Sequence, residues 1–163
     1  MAKLVEKTLN LLAYANSARP TAKLGQALGP IGVNMAAFCK DFNEKTTHIR
    51  ADTPLRVHLT AYKDKTFKFD VRSPPTSWMI KKAAGIEKGS HTPGRVKVGV
   101  ISAKSIYEIA KIKLEMDKHL VNVDEQAMAN MIAGSCRSMG VHIAADPPRP
   151  PAKRVFQRKV GVK

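Results

Sequence analysis

Acid is scarce in this sequence: 13 Asp and Glu stand against 28 Lys and Arg, a net charge of +15. That imbalance points to a polyanionic partner. Cysteine is almost absent. Cys39 and Cys136 lie far apart in helical, partly apolar contexts, so they read as buried free thiols in a reducing compartment, not as a disulfide framework. The histidines (His48, His58, His91, His119 and His142) form no H-x-x-H or Cys/His cluster, and no metal site is expected. A Walker-type phosphate loop is missing, and Gly29-Pro30-Ile31-Gly32 is too short for a dinucleotide fingerprint. No segment assembles a nucleophile with a base, a carboxylate pair or a cofactor loop, so neither an enzyme nor a cofactor is expected. No apolar run approaches the roughly 18 residues of a membrane span, and no membrane partner is expected.

What remains is a chain of 163 residues with 44% hydrophobic content. That is enough for one ordinary domain or two small ones, and too apolar for a wholly disordered chain. The basic excess is spread along it. Residues 1–72 carry 12 basic and 6 acidic side chains, 73–145 carry 10 and 6, and 146–163 carry 6 and 1. Cationic character therefore belongs to the whole protein.

The organising stretch is Val123 to Gly140, which reads as a helix capped by Asp124 and ended by Gly140 in a left-handed turn. Met128, Met131, Ile132, Ser135 and Met139 follow a core-facing stripe. The other face carries Asn130, Gly134, Arg137 and Ser138. Glycine inside a helix costs about 1 kcal/mol relative to alanine, so Gly134 asks for a reason. Two readings stand side by side: a polar surface such as nucleic acid approaches it, or another helix packs on it through the small residue.

Taken in order, residues 8–15 alternate as a strand with Leu9, Leu11, Ala13 and Ala15 on one side. Folded structure is thus expected close to Met1, leaving no room for a long cleavable leader. Pro20 to Asn43 is a Gly-punctuated turn or short helix entering a longer one, with Asn34 near its start and Met35, Phe38, Cys39 and Phe42 as its stripe. Its front reads as a rigid loop offered to a macromolecular partner. Leu55 to Arg72 is a β-hairpin turning at Lys63–Lys65, one face apolar and the other charged and solvated. Ser73-Pro74-Pro75-Thr76 breaks regular structure and marks a domain boundary.

A short helix follows at residues 77–84, with Trp78 assigned to the core. The loop Gly85 to Gly99 is rich in cations: Lys81 and Lys82 precede it, and it holds Lys88, Arg95 and Lys97 against Glu87 alone. Such a loop sets backbone N–H groups and cations against phosphates. Residues 98–101 read as a strand. Ser102 to Leu114 reads as a helix capped by Ser102, burying Ile106, Tyr107, Ala110 and Leu114, with Lys104–Glu108 and Lys111–Glu115 as surface pairs. Val141 and Ile143 are expected to pair with that strand. From Asp146 the sequence becomes Pro-rich and basic, a segment expected to order only on a polyanion.

Four blocks in order carry a family resemblance: LGPxGxNxxxFCKxFN (Leu28 to Asn43), SPP followed by KKAAGIxKGS (Ser73 to Ser90), YEIAKIK (Tyr107 to Lys113) and GSCRSMG (Gly134 to Gly140). The chain resembles the ribosomal protein L-eleven family, the large-subunit protein of the GTPase-associated centre, from about Thr8 to Ile143. The resemblance implies an α+β fold of two small domains. An N-terminal α/β sandwich, a three-stranded sheet with two helices, would span 1–72 and face factors and stalk. A C-terminal three-helix RNA-binding domain with a short two-stranded ribbon would span 73–145, leaving 146–163 as a basic extension.

Implied partners are large-subunit rRNA, stalk-base and stalk ribosomal proteins and, transiently, translational GTPase factors. With the basic loop, the rRNA-binding set comprises Pro74, Pro75, Lys81, Lys82, Lys88, Gly89, Ser90, Arg95, Lys97, Asn130, Gly134, Ser135, Arg137 and Ser138. Pro20, Lys23, Gly25, Gly29 and Pro30 are the factor- and stalk-facing set, on a segment similar to the family's proline-rich helix, where thiopeptide antibiotics wedge against RNA. The chain departs from the family there, with Thr21, Ala22, Lys23 and Gln26 where prolines are common. Lys3 and Lys40 match positions that bacterial relatives methylate. The wording of YEIAKIK and AFCKDFN is closest to mitochondrial members, so the mitochondrial matrix is the expected location and bacterial cytoplasm the alternative. An imported copy would then need an internal signal, or organellar synthesis. The competing non-ribosomal reading is an architectural nucleic-acid-binding protein using the last helix for recognition.

Overall fold

The computed structural model describes residues 4–145; Lys3 and the basic segment from Asp146 lie outside them. The first half is a three-stranded antiparallel sheet in the order β1 (Val5–Tyr14), β2 (Pro54–Tyr62), β3 (Phe67–Arg72). Strict alternation fixes its register, because a slip of one residue would move every apolar side chain to the wet face. Leu59 faces Leu9 on one side and Phe69 on the other, and Val57 sits between Leu11 and Val71.

Two helices cover that apolar face. α1 (Ala22–Leu28) runs into a 3-10 turn at Gly29–Ile31, and α2 (Met35–Lys45) follows. The Asn34 side chain accepts hydrogen bonds from the amides of Ala36 and Ala37, satisfying donors that the first turn of α2 leaves open. Phe38 and Phe42 are fully buried, with the Phe38 ring edge-on to Phe69 at 5.4 Å. Burying such a ring against truncation stabilises by roughly 3–5 kcal/mol.

The second half contains α3 (Thr76–Ala84), β4 (Gly99–Ser102), α4 (Ala103–Met116), α5 (Glu125–Ser138) and β5 (Val141–Ala144). β4 pairs with β5 in parallel, Ile101 opposite Ile143. Ser102 caps α4 by accepting from Lys104 N–H, and Asp124 caps α5 by accepting from Glu125 N–H. Ile80, Ile101, Ile132 and Cys136 are sealed in one core with Met79, Ile106, Ile109 and Met128. The expected α+β architecture of two small units, each with its own core, is present.

Several local expectations are corrected. Met131 is 52% exposed, not part of the stripe. α5 buries Met128, Ile132 and Cys136, spaced four apart, which is a narrower face than the stripe implied. Tyr107 is also exposed; its hydroxyl donates to Glu125 Oε2 at 2.6 Å, tying α4 to the start of α5. Hydrogen bonding to Glu125, then the carboxylate's charge, raises the Tyr107 pKa. Leu114 is only half-buried. β4 begins at Gly99 rather than Val98. Among the described residues neither Lys104–Glu108 nor Lys111–Glu115 closes as an ion pair; the pair that forms is Lys113–Asp117, at 3.5 Å.

That pair sits at the joint between the halves, and both residues are buried. Ser73, fully buried, donates its amide to Asp117 Oδ1 at 2.9 Å and its hydroxyl to Oδ2 at 2.7 Å. Lys113 Nζ donates to the Ser73 hydroxyl oxygen at 2.9 Å. Burial opposes the Asp117 carboxylate, yet the Ser73 bonds and the charges of Lys113 and Arg56 prevail and hold its pKa below the usual value. Burial also lowers the Lys113 pKa, with Asp117 opposing. The first residue after β3 is thereby stitched into α4.

Candidate nucleic-acid interface

α5 presents a continuous exposed face of Asn130, Met131, Gly134, Arg137 and Ser138. A Cβ built on Gly134 meets nothing within 4 Å. Among the described residues no helix packs there, so the small-residue contact with a neighbouring helix does not account for this glycine. What Gly134 leaves is a bare strip of backbone facing outward. Its flanks are trimmed as well. The Ser135 hydroxyl donates back to Met131 C=O at 3.0 Å and the Ser138 hydroxyl to Ser135 C=O at 2.8 Å. Both side chains lie folded against their own helix while their oxygens remain able to accept.

The cationic loop is held beside the C-terminal end of this face by backbone bonds. Ser90 N–H donates to Met139 C=O at 2.9 Å, and Val98 N–H to Gly140 C=O at 2.9 Å. Gly140 has φ +73°, and a Cβ there would lie 2.5 Å from Ser90 Cβ and 2.8 Å from the Val96 carbonyl oxygen. Only glycine permits that closeness, since it has no Cβ to clash and tolerates positive φ. Between the two bonds the loop makes its own turns: Thr92 N–H donates to Ser90 Oγ, and the Arg95 and Val96 amides to Thr92 C=O. Lys88, Gly89, Arg95 and Lys97 are exposed along it, with Ser90 half-buried at the anchor.

On α3, Lys82 is exposed with its ammonium 5.8 Å from the centre of the Trp78 ring, and Lys81 is half-buried. Trp78 packs against the second core. Pro75 is half-buried and caps α3 through its carbonyl, which accepts from Trp78 and Met79. Pro74 is buried, which removes its ring from any contact surface. The fold therefore brings the α5 face and the loop cations together, with Lys82 available on α3.

In the first half, Pro20, Gly29 and Pro30 are exposed, Gly25 is half-buried and Lys23 falls within α1. Gly25 has ordinary contact with Met35, its Cβ position 3.7 Å from the sulfur. Gly29 has helical backbone angles and open space around its Cβ position. Like Gly134, it is a helical glycine with no internal cause.

Sequence reasoning missed Met131 as a surface residue, and it treated the outer sheet face as ordinary solvated strand. The signal available there was register: in the hairpin Arg56 lies directly opposite Arg72.

Compared with protein-family models, residues 9–67 match "Ribosomal protein L11, N-terminal domain" and residues 72–143 match "Ribosomal protein L11, RNA binding domain". The two matches cover most of the chain, one on each structural half.

Proposed function

The chain belongs to the ribosomal protein L11 family, and from that premise we propose which rRNA it takes, which residues meet it and where in the cell it works. Membership makes it a non-enzymatic ribosomal protein of the large subunit that binds rRNA. The proposed target is the rRNA of the GTPase-associated centre at the base of the stalk, and the proposed role is to support translational GTPase action there.

The observation that carries the docking site is the bare backbone strip at Gly134 beside a pinned cationic loop. Folded RNA offers a wide, shallow minor groove edged by 2′-hydroxyls. A helix face without side chains at its centre can lie against such a surface. The Ser135 and Ser138 oxygens then accept from 2′-hydroxyls, and Asn130 and Arg137 hydrogen-bond at the edges. Lys88, Arg95 and Lys97, with Lys81 and Lys82, meet flanking phosphates, while Gly89 and Ser90 bring backbone close and Pro75 sets the start of α3. Residues 73–145 are the anchoring domain. Residues 1–72 offer Pro20, Lys23, Gly25, Gly29 and Pro30 to stalk proteins and GTPase factors, and 146–163 form a basic extension.

For location, the wording of Tyr107–Lys113 and Ala37–Asn43 supports the mitochondrial large subunit. Co-sedimentation with mitochondrial ribosomes after organelle fractionation checks this; recovery only with bacterial-type cytosolic ribosomes overturns it. The docking site is tested by titrating the protein into a GTPase-centre rRNA transcript and into duplex DNA at two salt concentrations. Selective, tight RNA binding is expected. Equal binding to both with a steep salt slope would show that the charge is generic.

A further inference from the structure

The outer face of the sheet carries a second cationic feature that the α5 interface does not use. Leu12, Arg56 and Arg72 form one row across the three strands, with Arg56 directly opposite Arg72. Like charges facing each other across strands are destabilising. Neither guanidinium closes an ion pair, since Lys113–Asp117 is the one ion pair among the described residues. Arg56 lies close enough to that pair for its charge to act on both partners. Asp117 is nonetheless committed elsewhere: both carboxylate oxygens are taken by Ser73, and Oδ2 also pairs with Lys113. Among the described residues, neither arginine of this pair is closed into a salt bridge by a carboxylate.

The arginine row borders a groove. Two concavities of about 290 and 380 Å³ adjoin at Arg72 and His119, one reaching toward Asp70 and Lys118 and the other toward Asn10, Leu12 and Arg56. The groove is lined by the arginine row, by the neighbouring core-side residues Leu11, Val57 and Val71, and by Met116, Lys118 and His119 at and just after the end of α4, so both halves of the molecule contribute to it. Its charged lining is Arg56, Arg72 and Lys118, with the His119 imidazole, against Asp70 alone. Guanidinium forks match the oxygens of a phosphate bidentately.

We propose that this groove receives a backbone segment of the bound rRNA, with Arg56 and Arg72 gripping adjacent phosphates and Lys118 and His119 closing the far wall. This rests on the rRNA-binding reading above and extends it to a second contact that shares no residue with the α5 face. The occupant is phosphodiester and not an acidic peptide because the groove sets two guanidinium forks side by side, matched to the regularly repeated anions of a nucleic-acid backbone. RNA in the groove would also bridge the two halves, so binding there would restrict the joint at Ser73.

The test uses the full chain and the same rRNA transcript. Arg56→Gln with Arg72→Gln is compared with Lys68→Gln, an exposed residue on β3 two positions beyond Asp70, away from the groove. Each lost phosphate contact lowers the slope of log affinity against log salt by about one. The double variant is expected to lose about two from that slope and a discrete patch of hydroxyl-radical protection on the RNA, while Lys68→Gln changes neither. Its thermal midpoint should stay level or rise, because a like-charge pair has been removed. A transcript bound by the parent but equally well by the double variant, with the same footprint and slope, overturns the groove assignment alone. A parent that fails to bind the transcript overturns the rRNA reading beneath it.

Discussion

Gly134→Ala should make the free protein more stable and the RNA complex weaker. In the helix interior, alanine is favoured over glycine by about 1 kcal/mol. Nothing subtracts from that here, because the new methyl meets no atom within 4 Å. For a domain of this size, 1 kcal/mol raises the melting midpoint by about 4–8 °C. In the complex the same methyl stands where RNA is proposed to lie against bare backbone. Holding a closely packed surface off by the width of a methyl should weaken binding roughly tenfold, or ~1.4 kcal/mol. Gly134→Leu should weaken it further while leaving net charge and salt slope unchanged. Thermal unfolding of the free protein and filter binding to the transcript read the two effects separately. A stabilised Gly134→Ala that binds as tightly as the parent, with Gly134→Leu doing the same, would refute the argument that the strip is a docking surface. A destabilised Gly134→Ala would refute the reading of the free helix.

Three further outcomes follow from the packing. Gly140→Ala places a Cβ at positive φ and within 2.8 Å of a carbonyl oxygen, so it should cost about 3 kcal/mol; chemical denaturation measures this, with amide shifts at Ser90 and Val98 showing the loop released. Asp117→Asn leaves Lys113 buried beside Arg56 without a counter-charge and should cost about 3 kcal/mol at neutral pH. The Asp117 pKa is lower in the folded than in the unfolded chain, so its stabilisation is present above the ordinary value of 3.8 and lost as pH falls through the folded pKa. The stability difference between parent and Asp117→Asn should therefore narrow below pH 3.8 in an acid series. Glu125→Gln removes the acceptor charge that holds the Tyr107 proton, so the Tyr107 ring resonances should titrate at lower pH than in the parent.

The hairpin was legible because Leu55–Tyr62 and Phe67–Arg72 each alternate around a polar turn, and a one-residue slip would turn the apolar face to water. The bare face of α5 was legible for a related reason, since glycine inside a helix declares a local cost. What Gly134 was for could not be read, because only the fold reveals that no neighbour occupies its flank. Tyr107 and Met131 misled for a common cause. Each sits one step from a truly buried position, and a helix packed on one side buries a narrower stripe than its apolar residues mark out. Lys113–Asp117 shares its four-residue spacing with two acid–base pairs that remain open, so spacing alone did not single out the buried one. The pinning of the basic loop went unforeseen because it is made by the amides of Ser90 and Val98, and backbone bonds leave no side-chain signature. Coarse order of the site was thus available from sequence, while its closure was not.

The two cysteines give the molecule an internal pair of clocks. Cys39 is sealed in the first core and Cys136 in the second, and burial raises the pKa of both thiols. A thiol reagent meets a reactive thiolate only after the surrounding core opens. One labelling time course, read by mass at each cysteine, therefore reports the opening of each half separately, in the native sequence and without a probe. If RNA docks on α5 as proposed, it should slow the Cys136 clock, and a partner engaging the other half should register on Cys39.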